Sequence, residues 1–284
     1  MRTVTASRRG VVHDKYANLR EMIRPKLADG LIVAFSGGVD SAFLLWAAEQ
    51  ERNSSGGRLL ALTTRSASFS AAERIDAQHF VDTHEIPHTW KDSRELQNPE
   101  YSSNDAMRCF HCKTELFTIC REVANENGLK WIAYGYNASD RGDFRPGHMA
   151  AIEHSILSPL ADAALTKDEI RELMRANSLE MADKPGSPCL SSRIMTGVAI
   201  TPRKLKDIED IEAILRDGGI EVFRVRLHEE EAARFLRIEV APDEMHKALK
   251  LREKLVAEGA VRGYKWVMLD LAGYRMGGGN LAAK

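Results

Sequence analysis

Leu31-Ile-Val-Ala-Phe-Ser-Gly-Gly-Val-Asp40-Ser41 decides how this chain folds. Leu31 to Phe35 is an unbroken apolar run, as expected of a parallel strand buried on both faces. Ser36 to Ser41 then turns into the apolar-periodic run Ala42-Phe-Leu-Leu-Trp-Ala-Ala48, which predicts strand, glycine turn, helix. The first N–H groups of a helix lack intrahelical partners and carry partial positive charge, so this junction is a place for an anion. Gly37 and Gly38 let the backbone approach a phosphate, and Ser36 and Ser41 add hydroxyl donors. Asp40 repels a phosphate directly but can hold a Mg²⁺ that binds one.

The lysine of the GxxxxGK[ST] loop is absent. SGGVDS resembles instead the pyrophosphate loop SGGxDS of the ATP-pyrophosphatase (adenine nucleotide α-hydrolase) superfamily. Its members cut ATP between the α and β phosphates and adenylate a substrate. An ordinary glycine turn would account for Gly37-Gly38 alone, but not for the whole hexapeptide between a strand and a helix.

Working outward, residues 11 to 28 have helical spacing. Leu59 to Thr64 predicts a second buried strand, whose carboxyl end should lie beside the phosphate loop, so Thr63 to Ser66 are candidates to line an adenosine pocket. Ser70 to His84 predicts a helix with a capping box closed by Glu73. Strands are expected at Pro87 to Asp92 and Lys130 to Gly135, with a helix from Arg108 to about Asn127 between them. Alternation of strands and helices predicts an α/β fold, a doubly wound parallel sheet. Residues 93 to 108 read as irregular, Tyr136 to Gly147 as a long loop, and Ser155 to Leu160 as a short added strand. A capping box at Thr166 to Glu169 starts a helix through Asn177.

The pattern changes across the Pro-, Gly- and Ser-rich residues 182 to 200. Thr201 and Pro202 start a helix to Asp217, Glu221 to His228 and Arg234 to Val240 alternate as strands, Pro242 to Glu258 reads as a helix, and Lys265 to Leu271 as a strand. This gives a nucleotide-binding domain at 1–182, a smaller α+β domain at 183–276 with Cys189 at the junction, and an expected disordered tail at 277–284.

With 284 residues, 44% hydrophobic and 29% charged, the chain has the composition of a globular protein. No apolar run reaches a membrane span, and Met1 to Gly10 is basic without a signal-peptide core, so a cytoplasmic protein is expected. A net charge of −1 gives no polyanion footprint, which argues against a nucleic-acid partner.

In a reducing cytosol Cys109, Cys112, Cys120 and Cys189 are ligands, nucleophiles or core residues rather than disulfides. Cys109-Phe-His-Cys112 is a lone CxxC, open to redox, metal or incidental readings. Cys189 lies in Lys184-Pro-Gly-Ser-Pro-Cys-Leu-Ser-Ser-Arg193, a stretch with no side-chain period, where Arg193 and Lys184 would favour the thiolate. Three thiolates suit an iron–sulfur cluster with one open iron. Cys120 falls on the stripe Leu116, Phe117, Cys120, Val123, Ala124 and reads as core. Arg224, Arg226 and His228 share one face of a strand, where arginine forks can grip phosphate or carboxylate; a solvated face is the alternative. Glu212, Asp270 and Arg275 could face the same cleft.

SGGVDS, RCFHCKTELF, GDFRPG, TKDEIREL, DKPGSPCLSSRI, FRVRLH and LDLAGYRMG, in that order, resemble the LarE family over roughly residues 15 to 277. These are ATP-dependent sulfur transferases that help build the nickel-pincer nucleotide cofactor. The resemblance implies adenylation of a pyridinium dicarboxylate mononucleotide, release of pyrophosphate, and capture of the acyl group by sulfur as a thiocarboxylate. One variant of the family sacrifices a cysteine in the PCxSSR-like segment. The other joins that cysteine to a CxxC pair around a four-iron four-sulfur cluster (4Fe-4S). Cys189 matches the first and Cys109 with Cys112 the pair, so the chain is similar to the cluster variant. By the same resemblance Arg224 and Arg226 bind the substrate phosphate, Ser192 and Arg193 sit near the reacting carboxylate, and Glu212 matches an acidic position. ATP, Mg²⁺ and the cluster are the implied cofactors, a small nucleotide the partner, and a homo-oligomer, with a hexamer as candidate, the implied assembly. A tRNA thiolation enzyme would need a basic RNA-binding module, and an amidotransferase an ammonia source; neither is visible in the sequence. A regulatory nucleotide binder is the remaining alternative.

Overall fold

The computed structural model describes residues 2–142, 145–186, 188–231 and 233–275. The expected tail at 277–284 lies outside the described residues, as do Asp143 and Phe144 of the GDFRPG segment. In chain order the elements are α1 (Arg2–Asp29), β1 (Leu31–Ala34), α2 (Val39–Ser55), β2 (Leu59–Arg65), α3 (Ala71–Thr83), β3 (His88–Asp92), α4 (Pro99–Ser102), α5 (Arg108–Glu126), β4 (Trp131–Tyr134), α6 (Pro146–Glu153), α7 (Pro159–Asp162) and α8 (Lys167–Ala176). They continue with α9 (Pro202–Asp217), β5 (Phe223–Glu230), β6 (Ala233–Val240), α10 (Met245–Lys250), α11 (Arg252–Val261) and β7 (Trp266–Leu269).

Two compact units result. The first comprises Met1–Arg65, Ala71–Ser93 and Cys109–Ser187; the second comprises Ser66–Ser70, Arg94–Arg108 and Pro188–Lys284. The first is α/β, a four-stranded parallel sheet in the order β3-β2-β1-β4 flanked by helices, a Rossmann-like doubly wound arrangement. All four residues of β1 are buried because it is a central strand covered on both faces. Ile32 and Ala34 pack with Phe117, Cys120, Val123 and Ala124 of α5, the stripe expected from sequence. Burial pushes the Cys120 thiol up to about 12, so it is a hydrophobe here. Strand order reverses at β1, which lies between β2 and β4. The loop after β1 therefore opens at the switch point where ligands bind in such sheets.

The second unit holds the smaller sheet, in the order β5-β6-β7, with β5–β6 antiparallel and β6–β7 parallel. The expected α-β-β-α-β succession is found. Thr201 caps α9 by accepting from the Lys204 N–H, and Thr166 with Glu169 forms the predicted capping box of α8.

Four expectations change. The predicted strand at Ser155 to Leu160 is a single bridge, Leu157 to Ala133, because Pro159 offers no N–H and starts α7 instead. The helix expected over Pro242 to Glu258 is interrupted at Leu251 (φ −88°, ψ 0°), which packs on Gly218; a Cβ there would stand 2.5 Å from Leu251 Cδ1. Residues 93 to 108 are not irregular: they hold a 3₁₀ turn at Glu95–Gln97 and α4, capped by Asn98, whose side chain accepts from the Glu100 N–H. The long loop after β4 is shortened by a 3₁₀ turn at Ala138–Asp140 and by α6.

Candidate functional site

In the first unit, Gly38 is the N-cap of α2 and Gly37 has φ +67°, a left-handed conformation that favours glycine. A Cβ on Gly37 would also press on the Ala77 methyl at 3.2 Å. The turn is held from inside: the Ser36 N–H donates to Ser41 Oγ at 3.2 Å, and Ser41 Oγ donates to the Gly38 carbonyl at 3.0 Å. The two hydroxyls lie 3.1 Å apart. At Gly135, just past β4, a Cβ would stand 2.5 Å from Ser41 N, so the end of β4 meets the loop backbone directly.

Asp40 lies in the first turn of α2. Its Oδ2 accepts from Lys167 Nζ at 2.6 Å, while its Oδ1 is buried and has no hydrogen-bond partner among the described residues. Burial raises the Asp40 pKa, and the Lys167 charge only partly opposes it. A buried carboxylate oxygen without a hydrogen-bond partner has the chemistry to take a hard cation. Thr63 is buried in β2; its hydroxyl donates to the Phe35 carbonyl at 2.8 Å and lies 2.9 Å from His88 Nε2. Burial lowers the His88 pKa to about 4, so that ring is neutral at pH 7. Thr63 thus pins the carboxyl ends of β1 and β2 together beside the loop.

Sequence reasoning missed two lysines at this loop. Lys167, first residue of α8, reaches Asp40, and Lys184 donates to the Gly37 carbonyl at 3.1 Å while pairing with Asp76 at 2.8 Å. The capping box located the start of α8, but no local signal says which neighbour its first residue meets.

In the second unit, Cys189 is half-buried and precedes a 3₁₀ turn at Leu190–Arg193. Ser192 Oγ donates to the Cys189 carbonyl at 2.7 Å. Arg193 Nη1 donates to the same carbonyl at 3.0 Å and also to that of Pro188, while its Nε donates to Glu212 Oε1 at 3.0 Å. Both partners of that ion pair are buried. Glu212 Oε1 further accepts from the Val225 N–H at 3.2 Å, so one carboxylate fixes both the Cys189 segment and β5.

Arg224 and Arg226 are buried, not on a solvated face. Arg226 donates to Glu239 Oε2 through Nε at 3.2 Å and Nη2 at 3.1 Å, and to the Ser192 carbonyl at 3.1 Å. Arg224 lies 5.1 Å from the Tyr274 ring centroid. Burial, then the nearby Arg193 charge, lowers the Arg224 pKa. Asp270 accepts from Arg237 at 2.6 Å, and Arg237 also pairs with Glu239 at 3.1 Å. Cys189, Ser192, Arg193, Glu212 and Arg226 are therefore brought together.

Cys109 and Cys112 occupy the first turn of α5, three residues apart and so on one face of the helix; Cys109 is exposed and Cys112 half-buried. They belong to the first unit and Cys189 to the second. Among the described residues no group of three or more His, Cys, Asp or Glu side chains is gathered as a metal site, and no helix is long and apolar enough to cross a membrane.

Fold and site define an α/β protein with a glycine turn between β1 and α2 in one unit and a buried arginine cluster in the other. No family model matches the chain. It is 34% identical over 269 residues to the uncharacterized protein slr1717 of Synechocystis sp., covering 94% of this chain and 97% of that one. It is 27% identical over 247 residues to the pyridinium-3,5-bisthiocarboxylic acid mononucleotide synthase of Lactiplantibacillus plantarum, covering 86% and 87%. Protein MJ0830 of Methanocaldococcus jannaschii is 30% identical over 168 residues, 59% of this chain and 64% of that one. The chain belongs to the family of slr1717.

Proposed function

We propose that this chain is a sulfur transferase of the LarE type, an enzyme that adenylates a carboxylate of pyridinium-3,5-biscarboxylic acid mononucleotide with ATP and converts it to a thiocarboxylate. The observation that carries this reading is the similarity to the Lactiplantibacillus plantarum synthase. It runs over 247 residues, more than the first unit contains, so it extends beyond the nucleotide loop into the second unit.

Residues of the two units support the nucleotide and phosphate parts of this reading. The N–H groups at the start of α2, with Ser36 and Ser41, suit the pyrophosphate portion of ATP. Asp40 Oδ1 has the right chemistry to hold Mg²⁺, which would draw charge from pyrophosphate as it leaves. A carboxylate resists attack until its oxygen becomes a good leaving group. Transfer of AMP to that oxygen supplies one: the new C–O–P linkage forms as the bond to pyrophosphate breaks. Arg224 and Arg226 suit the substrate phosphate, since an anion beside Arg224 would offset the burial and the Arg193 repulsion that disfavour its charge. Arg193, locked by Glu212, holds the Cys189 backbone, so the thiol is positioned by a buried ion pair rather than by a mobile loop. By the family resemblance, Cys109, Cys112 and Cys189 would be the donors of a 4Fe-4S cluster, which would supply sulfide for transfer.

The test is a reaction of the purified chain with ATP, Mg²⁺ and the dicarboxylate mononucleotide under nitrogen. AMP and pyrophosphate are quantified by chromatography, and the nucleotide product by mass spectrometry. AMP, pyrophosphate and a thiocarboxylate formed together are expected. ADP with inorganic phosphate, or AMP without sulfur in the nucleotide, would overturn the reading.

A further inference from the structure

The arginine face of the β5–β6–β7 sheet, buried at Arg226 and exposed at Trp266, carries a feature that the arginine cluster does not absorb. The register pairs His228 with Phe235, and Phe235 with Trp266. Directly paired residues share a face of a sheet. One row along, the same register pairs Arg226 with Arg237 and Arg237 with Met268, so the aromatic row lies on the arginine side. The other side is the covered one: Leu227 and Leu236 are buried there, and Val267 packs against Gly259 of α11.

The row is built of one stacked and one edge-on ring contact. His228 lies 4.6 Å from Phe235 with 9° between planes, and Phe235 meets Trp266 at 6.3 Å and 62°. It ends on an edge strand, with Trp266 49% exposed. Lys265 Nζ lies 4.5 Å from the centre of the Trp266 ring, a cation–π contact. Arg237 Nε donates to His228 Nε2 at 3.2 Å, which leaves the proton of the neutral imidazole on Nδ1 as a donor. Burial, with Arg237 and Arg226 nearby, holds that ring neutral by lowering its pKa to about 4. The row thus offers π faces and one N–H donor. The arginines lie two residues along the strands, about 7 Å away.

We propose that the row His228–Phe235–Trp266 is the subsite for the planar, positively charged aromatic ring of the substrate, with the substrate phosphate taken by the arginine row beside it. The inference rests on the function proposed above and adds the element that recognises the ring. A pyridinium is a flat cation, so it gains from Trp266 both stacking and cation–π attraction. His228 Nδ1–H donates to a ring carboxylate. A sugar phosphate without a ring would use the arginines alone.

Isothermal titration of the whole chain separates these contributions, with nicotinic acid mononucleotide as the ring-bearing probe and ribose 5-phosphate as the ringless one. Trp266→Ala should weaken the mononucleotide about tenfold and leave ribose 5-phosphate unchanged, and Trp266→Phe should restore most of the loss. Molecular mass by light scattering should be unaltered. Unchanged mononucleotide affinity, equal loss of both probes, or a change of mass that accompanies the loss would each overturn the proposal, the last in favour of an interface between copies. If the parent binds the mononucleotide and makes thiocarboxylate while Trp266→Ala binds it equally well, the subsite alone fails. If the parent binds neither probe, the function reading fails with it.

Discussion

Asp40 shows how much one side chain can be asked to hold. Its carboxylate is buried at a helix start, bonded to Lys167 through one oxygen and to nothing described through the other. Burial raises its pKa above the ordinary carboxylate value, so the folded chain binds its proton more tightly than the unfolded chain does. Stability from this group is present at acid pH and is lost as pH rises from the unfolded value toward the raised one. Asp40→Asn should therefore raise the thermal midpoint at pH 7 in metal-free buffer, with a smaller gain at acid pH, while abolishing pyrophosphate formation. Scanning calorimetry across pH, paired with a pyrophosphate assay, checks both. A lower midpoint at pH 7 would show that Lys167 outweighs burial. Glu212 is the opposite case, a buried carboxylate with its partners satisfied. Glu212→Ala leaves Arg193 buried without its counter-ion and the Val225 N–H without its acceptor. A loss of about 3–5 kcal/mol is expected in urea unfolding, from the uncompensated charge. A loss below about 1 kcal/mol, the range of exposed pairs, would contradict that burial.

At the scale of elements, the loop at residues 36–41 depends on strands as well as on its own sequence. Gly135 directly follows β4, and a methyl group there would stand 2.5 Å from Ser41 N and 2.8 Å from Ser41 Cα. Those are backbone atoms, so the loop itself must shift. Gly135→Ala should keep the far-ultraviolet circular dichroism of the parent and weaken ATP binding at least about tenfold, read by titration calorimetry. Unchanged affinity would mean that α2 moves as a body without disturbing the turn. Most elements were legible because period and capping agree: the 3.6-residue stripe of α5, the capping box of α8, and Thr201-Pro202 before α9 are local signals. The break at Leu251 was not, because it packs on Gly218, just past the end of α9.

For the whole molecule, the cysteines divide between the units, but their proposed roles do not. Cys120 is core. Cys109 and Cys112 share a helix turn in one unit, and Cys189 is held by Arg193 in the other. If the proposed cluster is the sulfur carrier, protein purified without oxygen carries about four irons per chain. Ala at Cys109, Cys112 or Cys189 should each abolish the iron, whereas Cys120→Ala should retain it and lose only stability. Iron and acid-labile sulfide assays with visible spectra decide this. Iron absent from the reconstituted parent would turn attention to Cys189 as the sulfur source, with loss of H₂S from that residue as its mass signature.

By itself, the order of residues determined the α/β class, the strand–glycine turn–helix at 31–48, the core role of Cys120 and the alternation that sets Arg224 and Arg226 on one face. Each is a local period or a local backbone demand, and local physics is written in local sequence. Tertiary structure alone decided that Lys167 and Lys184 meet the loop at residues 36–41, that Arg193 and Arg226 are buried against Glu212 and Glu239, and that residues 66–70 and 94–108 belong with the second unit. Those are meetings between residues far apart along the chain, and no period within a segment encodes its partner. The burial that makes such charges consequential exists only once the chain has closed around them.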